Sequence, residues 1–219
     1  MNLAPYIDHT LLRPDASQEQ ILTLCTEAKE YNFAAVCVPP CFIRTAVESL
    51  ADTEVKIATV IGFPLGYSVT DVKFFETHKA LAQGASEIDV VINLAAFKSG
   101  HFTEVEDELS QLATLCHFRE AILKVIVETA LLSEDELVKA CEICADAGVD
   151  YVKTSTGFSA RGASLSDIRI MREALPEEIK IKASGGIKSR EFALELVAAG
   201  ADRLGTSSGV ALLKSAISH

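Results

Sequence analysis

Four ionisable residues stand inside apolar runs where charge is out of place. Asp89 interrupts Glu87-Ile88-Asp89-Val90-Val91-Ile92 and Lys124 interrupts Ile122-Leu123-Lys124-Val125-Ile126-Val127. Lys153 ends Tyr151-Val152-Lys153, and Lys182 sits in Ile179-Lys180-Ile181-Lys182-Ala183. Read singly, each is also a strand-end residue that reaches solvent or one half of a structural ion pair. Read together they have a chemical use. An amine attacks a carbonyl only when unprotonated, and bringing a lysine from about 10.4 to near neutrality takes roughly three pKa units, or about 4 kcal/mol. A neighbouring ammonium and a dry pocket both push in that direction. A nearby carboxylate can then move the protons of carbinolamine dehydration and of carbon–carbon cleavage. One lysine as nucleophile, one as perturbing cation and one Asp as relay complete a set for Schiff-base chemistry. No pair of carboxylates is expected to face across strands.

The elements that must position these residues alternate in type. Short β-branched runs predict strands at Ile7–His9, Ala34–Val38, Lys56–Ile61, Glu87–Ile92, Ile122–Val127, Tyr151–Lys153, Ile179–Ala183 and Arg203–Leu204. Segments of helical period lie at Ser17–Tyr31, Phe42–Ala51, Thr70–Gln83, Glu104–Cys116, Ser133–Ala147, Leu165–Ala174, Arg190–Ala199 and Val210–Ile217. Ser133-Glu134-Asp135-Glu136 reads as a capping box, and Gly84, Gly148 and Gly200 follow helical stretches where a C′ glycine belongs. Alternation of this kind implies parallel pairing with right-handed crossovers. Eight units in 219 residues is about 27 residues each, which suits a (β/α)8 barrel, the TIM-barrel architecture, as a single domain over residues 1–219. A doubly wound open sheet is the rival, but no G-x-G-x-x-G follows the first strand. On this reading strands four to seven are neighbours, and their charged side chains converge on one pocket.

Gly185-Gly186 after strand seven and Gly205-Thr206-Ser207-Ser208-Gly209 after strand eight fall where barrels often hold phosphate, on backbone N–H groups and a helix N-terminus. Ser155-Thr156-Gly157 after Lys153 is a third candidate. Backbone donors also suit the formal charge of -11, which would repel an anion at long range and argues against nucleic acid as a partner. No apolar run approaches a membrane span, and no signal peptide opens the chain, so a cytoplasmic protein without a membrane partner is expected. The six cysteines read as reduced core thiols, Cys141-x-x-Cys144 included, and the five histidines show no metal spacing, so no metal is expected.

Taken in order, these stretches resemble the deoxyribose-phosphate aldolase family of class I aldolases along nearly the whole chain. Its segments include Ile7-Asp8-His9-Thr10-Leu11-Leu12, Val36-Cys37-Val38, Gly62-Phe63-Pro64-Leu65-Gly66, Lys153-Thr154-Ser155-Thr156-Gly157 and Lys182-Ala183-Ser184-Gly185-Gly186. The resemblance implies an imine on Lys153, perturbed by Lys182, with Asp89 relaying protons. It implies that Asp8, Thr10, Cys37 and Lys124 line the pocket, with Gly157, Gly185, Gly186, Gly205, Ser207 and Ser208 near a phosphate. The implied reaction is reversible cleavage of 2-deoxy-D-ribose 5-phosphate to acetaldehyde and D-glyceraldehyde 3-phosphate, without cofactor, in deoxyribose phosphate catabolism. Dimers are common in that family, which makes a homodimer one assembly the resemblance allows, while the residues themselves do not signal an oligomeric state. Phe158 stands where some members carry Lys, Ser159-Ala160-Arg161-Gly162 replaces a glycine-richer stretch, and Ser184 replaces a commoner Ala or Pro. The chain ends Ser218-His219, without the tyrosine tail of some relatives.

Overall fold

A computed structural model describes residues 1–214. These form eight parallel strands closed into a barrel in sequence order, β1-β2-β3-β4-β5-β6-β7-β8. The strands are β1 Ile7–Thr10, β2 Ala35–Val38, β3 Lys56–Ile61, β4 Glu87–Val91, β5 Ile122–Ile126, β6 Tyr151–Lys153, β7 Lys180–Ser184 and β8 Arg203–Thr206. The helices are α1 Gln18–Tyr31, α2 Ile43–Leu50, α3 Thr70–Ala82, α4 Leu94–Lys98, α5 Phe102–Phe118, α6 Glu134–Asp146, α7 Leu165–Ala174, α8 Arg190–Ala198 and α9 Gly209–Lys214. Closure excludes the open doubly wound sheet. Among the described residues no helix is long and apolar enough to cross a membrane.

Helices α1, α4, α6, α7 and α8 start where a side chain accepts from a free N–H group of the first turn. The Ser133–Glu136 capping box forms as read, and Ser17 forms a second one with Gln20. Asn93 caps the short α4, an element too brief to leave a periodic signal, by accepting from the Ala96 N–H at 3.1 Å. The last sequence-predicted helix extends to Ile217, and its final residues, like the Ser218-His219 terminus, lie outside the described residues.

Six strands differ from their sequence-predicted bounds: β1, β2, β4 and β5 by a single residue at one end, and β7 and β8 by more. Ile179 belongs to the preceding turn, its N–H donating to Pro176 O, and β7 runs on to Ser184, which pairs in register with Gly205 of β8. β8 continues past Leu204 because Gly205 and Thr206 pair with Asp8 and His9 of β1. Both extensions fall at the C-terminal ends of the strands, the face that carries the functional loops in this architecture.

The apolar core lies between barrel and helices, where residues such as Ile7, Val36, Ile88, Leu123, Val152, Ile181 and Leu204 meet Leu24, Leu109, Leu137 and Leu196. Inside the barrel the apolar cluster is small: Cys37, Ala58 and Val60, with Leu12 and Phe63 against them. The interior also holds seven buried charged residues, Asp8, Glu87, Asp89, Lys124, Lys153, Lys182 and Arg203. Cys41 departs from the expected core thiols, since it lies exposed on a turn beside Pro40.

Candidate active site

Strand register decides which side chains can meet. Lys153 pairs with Lys182 across β6 and β7, and Asp89 pairs with Lys124 across β4 and β5. Three ammonium groups converge on one carboxylate. Asp89 Oδ2 accepts from Lys153 Nζ at 2.8 Å and from Lys182 Nζ at 2.7 Å, and Oδ1 accepts from Lys124 Nζ at 2.9 Å. Lys182 also pairs with Asp8 Oδ2 at 2.5 Å.

Four of these groups titrate in opposite directions because their neighbours differ. Lys153 is lowered from the usual lysine value, chiefly by burial and then by the Lys182 charge, against the pull of Asp89. Lys182 is raised: burial opposes its charge, but Asp8 and Asp89 outweigh it. Lys124 is raised in the same way by Asp89 and Glu87. Burial would protonate Asp89, yet Lys124, Lys153 and Lys182 hold it well below the carboxylate range. One lysine is thus eased toward the free amine beside two held as cations.

Above this cluster opens a cavity of about 600 Å³. Its walls include Thr10, Lys153, Gly157, Gly185, Gly186, Gly205, Ser207 and Ser208, together with Thr156, Phe158, Arg13 and Lys188. Of the inner lysines it is Lys153 that lines the cavity; Lys124 and Lys182 lie deeper, fully buried. Thr10 donates its hydroxyl to Asp8 O at 2.8 Å. Cys37 is fully buried beside Thr10 in register, with its thiol pushed up to about 11 by burial and by the field of Asp89. Asp8, Cys37, Lys124, Lys182 and Asp89 therefore form the layer beneath the cavity rather than its surface. Among the described residues no group of three or more His, Cys, Asp or Glu is placed to hold a metal ion.

Residues 3–219 match the model of the DeoC/LacD family of aldolases. The chain belongs to that family. Among curated relatives, the deoxyribose-phosphate aldolase of Streptococcus suis (strain 98HAH33) is 49% identical over 216 residues, 99% of this chain and 97% of that one. That of Thermococcus gammatolerans is 48% identical over 218 residues, 99% and 97% of the two chains. Among solved structures, a putative deoxyribose-phosphate aldolase from Coccidioides immitis superposes with a TM-score of 0.95 at 42% identity, covering 99% of this chain and 86% of that one. The Aeropyrum pernix deoxyribose phosphate aldolase, described as a tetramer, superposes with 0.92 at 37% identity, covering 99% and 91%.

This DeoC/LacD aldolase, a carbon–carbon lyase, also uses buried charges that sequence reading passed over. Arg203 donates from Nε to Asp8 Oδ1 at 2.6 Å and reaches Glu87 Oε2 at 3.0 Å, and Glu87 pairs with Lys124 at 2.5 Å. Carboxylates from β1 and β4 converge inside the barrel, but as partners of shared cations rather than as a facing acid–base pair. They meet through cations: Asp8 and Asp89 share Lys182, and Glu87 and Asp89 share Lys124. A usable signal was present. Glu87 stands two residues before Asp89 and so shares its face, whereas the register of Arg203 with Lys182 shows only in the structure.

Proposed function

We propose that this aldolase reversibly cleaves 2-deoxy-D-ribose 5-phosphate to acetaldehyde and D-glyceraldehyde 3-phosphate through an imine on Lys153. The observation that carries the reading is that Lys153, the inner lysine lowered from the ordinary value, lines the cavity while Lys182 stands beneath it on a shared Asp89 oxygen. The free amine of Lys153 adds to C1 of the open-chain sugar, and loss of water gives the imine. Deprotonation of the C3 hydroxyl breaks the C2–C3 bond. The electron pair passes into an enamine on Lys153 as glyceraldehyde 3-phosphate leaves. Protonation at C2 and hydrolysis then release acetaldehyde. Asp89, ionised and 2.8 Å from Lys153 Nζ, is placed to carry protons between the nitrogen and the reacting carbons. Lys182 stays a cation and opposes protonation of its neighbour.

The Gly157, Gly185–Gly186 and Gly205–Ser208 segments meet at one side of the cavity, which supports their assignment to the phosphate. An anion held by backbone N–H groups needs no basic surface. Thr10 is assigned to the wall around the reacting carbons, with Asp8, Cys37 and Lys124 supporting it from the buried layer beneath.

Acetaldehyde release from deoxyribose 5-phosphate in the presence of EDTA tests the reaction. Borohydride reduction during turnover tests the nucleophile: the substrate-derived mass is expected on Lys153. A label on another lysine, or none while activity persists, overturns the assignment.

A further inference from the structure

Glu128 is a buried carboxylate with no part in the chemistry above. It follows β5 with a left-handed backbone, φ 55° and ψ 67°, a conformation few non-glycine residues adopt and one that clusters at functional sites. The kink is fixed on both sides: the Val127 N–H donates to Lys153 O at 3.0 Å and the Thr129 N–H to Thr154 O at 2.8 Å. The Glu128 side chain is 2% exposed and lies against the turn that follows Lys153.

One of its oxygens organises that turn. Glu128 Oε2 accepts from the Thr156 hydroxyl at 2.5 Å and from the Thr156 N–H at 3.3 Å. The Thr156 hydroxyl oxygen in turn accepts from the Phe158 N–H at 3.0 Å. Gly157, between them, sits at φ 87°, and its N–H has no protein acceptor among the described residues. The Phe158 ring is braced edge-on against Phe63 at 5.3 Å. Thr156, Gly157 and Phe158 all line the cavity; Glu128 does not.

The other oxygen, Oε1, is buried without a hydrogen-bond partner. An unpaired buried acceptor is unfavourable, and an amide or hydroxyl would be easier to satisfy if shape alone were required. A carboxylate gives the strongest acceptor for two donors at once. It consumes the hydroxyl and N–H of Thr156 and leaves the Gly157 N–H for a ligand.

We propose that Glu128 is a positioning residue for the phosphate end of the substrate. It acts through Thr156 to hold the Gly157 N–H toward the anion while its own charge stays one residue behind the cavity wall. The proposal rests on the reaction and phosphate assignment given above.

The test compares wild type, Glu128→Ala and Glu128→Gln on deoxyribose 5-phosphate and on unphosphorylated 2-deoxyribose, with inorganic phosphate as competitive inhibitor. Glu128→Ala is expected to raise KM for the phosphate ester and the inhibition constant of phosphate at least tenfold. Its kcat should stay within threefold, and its kcat/KM on 2-deoxyribose should not change. Glu128→Gln, which keeps an acceptor for Thr156, should recover most of the KM. Equal losses on both substrates, or unaltered phosphate inhibition, overturn the positioning role. Thr156→Val removes the hydroxyl link to Glu128 together with the acceptor of the Phe158 N–H, and should raise KM for the phosphate ester and the inhibition constant of phosphate likewise should Glu128→Ala not fold. Wild-type protein that turns over neither substrate refutes the proposed reaction instead, and phosphate affinity by calorimetry then decides the role of Glu128 on its own.

Discussion

Lys153 and Lys182 are register partners on β6 and β7, and their ammonium nitrogens share one oxygen, Asp89 Oδ2, at 2.8 and 2.7 Å. The shared oxygen makes the two lysines unequal. Lys182 has a second carboxylate in Asp8, whereas Lys153 has Asp89 alone and faces the cavity. The proton therefore belongs to Lys182, and Lys153 is left as the better amine.

Lys182→Met tests that inequality. Removing a cation that lowers Lys153 leaves Asp89 free to raise it, so the Lys153 pKa should climb. Each unit is tenfold in free amine at a fixed lower pH, so kcat/KM at pH 7 is expected to fall about a hundredfold. Activity should recover partly as pH rises, because the missing species is the unprotonated amine. Lys182→Arg keeps a charge but displaces it, and should fall between the two. A pH–rate profile of Lys182→Met superposable on wild type would show that the Lys182 charge does not set the Lys153 proton affinity.

Asp89→Asn separates imine formation from proton transfer. Asp89 raises Lys153, so its loss leaves the amine no less nucleophilic. Cleavage should nonetheless drop by about 10²–10⁴-fold, the range for a lost acid–base group. Borohydride trapping of an aldehyde on Lys153 should persist. The fold should also weaken, by about 3–5 kcal/mol, because three buried lysines lose a shared counter-ion. Loss of trapping in a folded variant would assign Asp89 to imine formation itself.

Much of this was legible in the sequence, for a physical reason. A charge inside a parallel strand must be paired or used, so Asp89, Lys124, Lys153 and Lys182 announced themselves against Val and Ile. Repeated βα alternation then placed them on neighbouring strands. Charges in amphipathic helices carry no such contrast. Lys73 on α3 looks like a surface lysine, yet it is fully buried, donating to Val91 O at 2.8 Å and to Glu108 Oε1 at 2.6 Å. Glu128 was hidden likewise, because its role depends on a left-handed backbone that no residue type signals when the residue is Glu.

Gly162 was legible only as a departure from a glycine-richer stretch, and the structure gives it a purpose. A Cβ there would stand 2.1 Å from Gly185 O and 2.7 Å from Gly185 Cα. The loop after β6 is thus backed directly onto the turn assigned to phosphate. The Ala163 N–H ties the same backbones by donating to Ser184 O at 3.0 Å and Gly185 O at 3.2 Å. Gly162→Ala must push Gly185 toward the cavity, since neither contact is with a flexible side chain. KM for the phosphate ester is expected to rise at least about tenfold, with a loss of about 1–3 kcal/mol in stability from overpacking. Unchanged KM and thermal midpoint would mean that the two loops part without affecting ligand binding.

Acid should loosen the barrel through the same cluster. Asp8 is held far below its ordinary value: burial would raise it, but Lys182, Arg203 and Lys124 prevail. A carboxylate depressed in the folded state contributes stability that is full above its unfolded pKa of about 3.9 and is lost as pH falls toward the folded value. Asp89 has the same sign, so the two act together. Lys182 acts at the opposite end, since its raised value makes its contribution disappear only above the ordinary lysine range. Lys153, being lowered, binds fewer protons when folded, so its contribution grows with pH between its folded value and about 10.4. Thermal melts at constant ionic strength are therefore expected to show a midpoint that falls from about pH 5 to pH 3. Asp8→Asn removes one of the two carboxylates, so it should melt lower than wild type at pH 7 and show a flatter decline over that interval. An Asp8→Asn curve that runs parallel to wild type through the acid range would place the proton uptake elsewhere in the molecule.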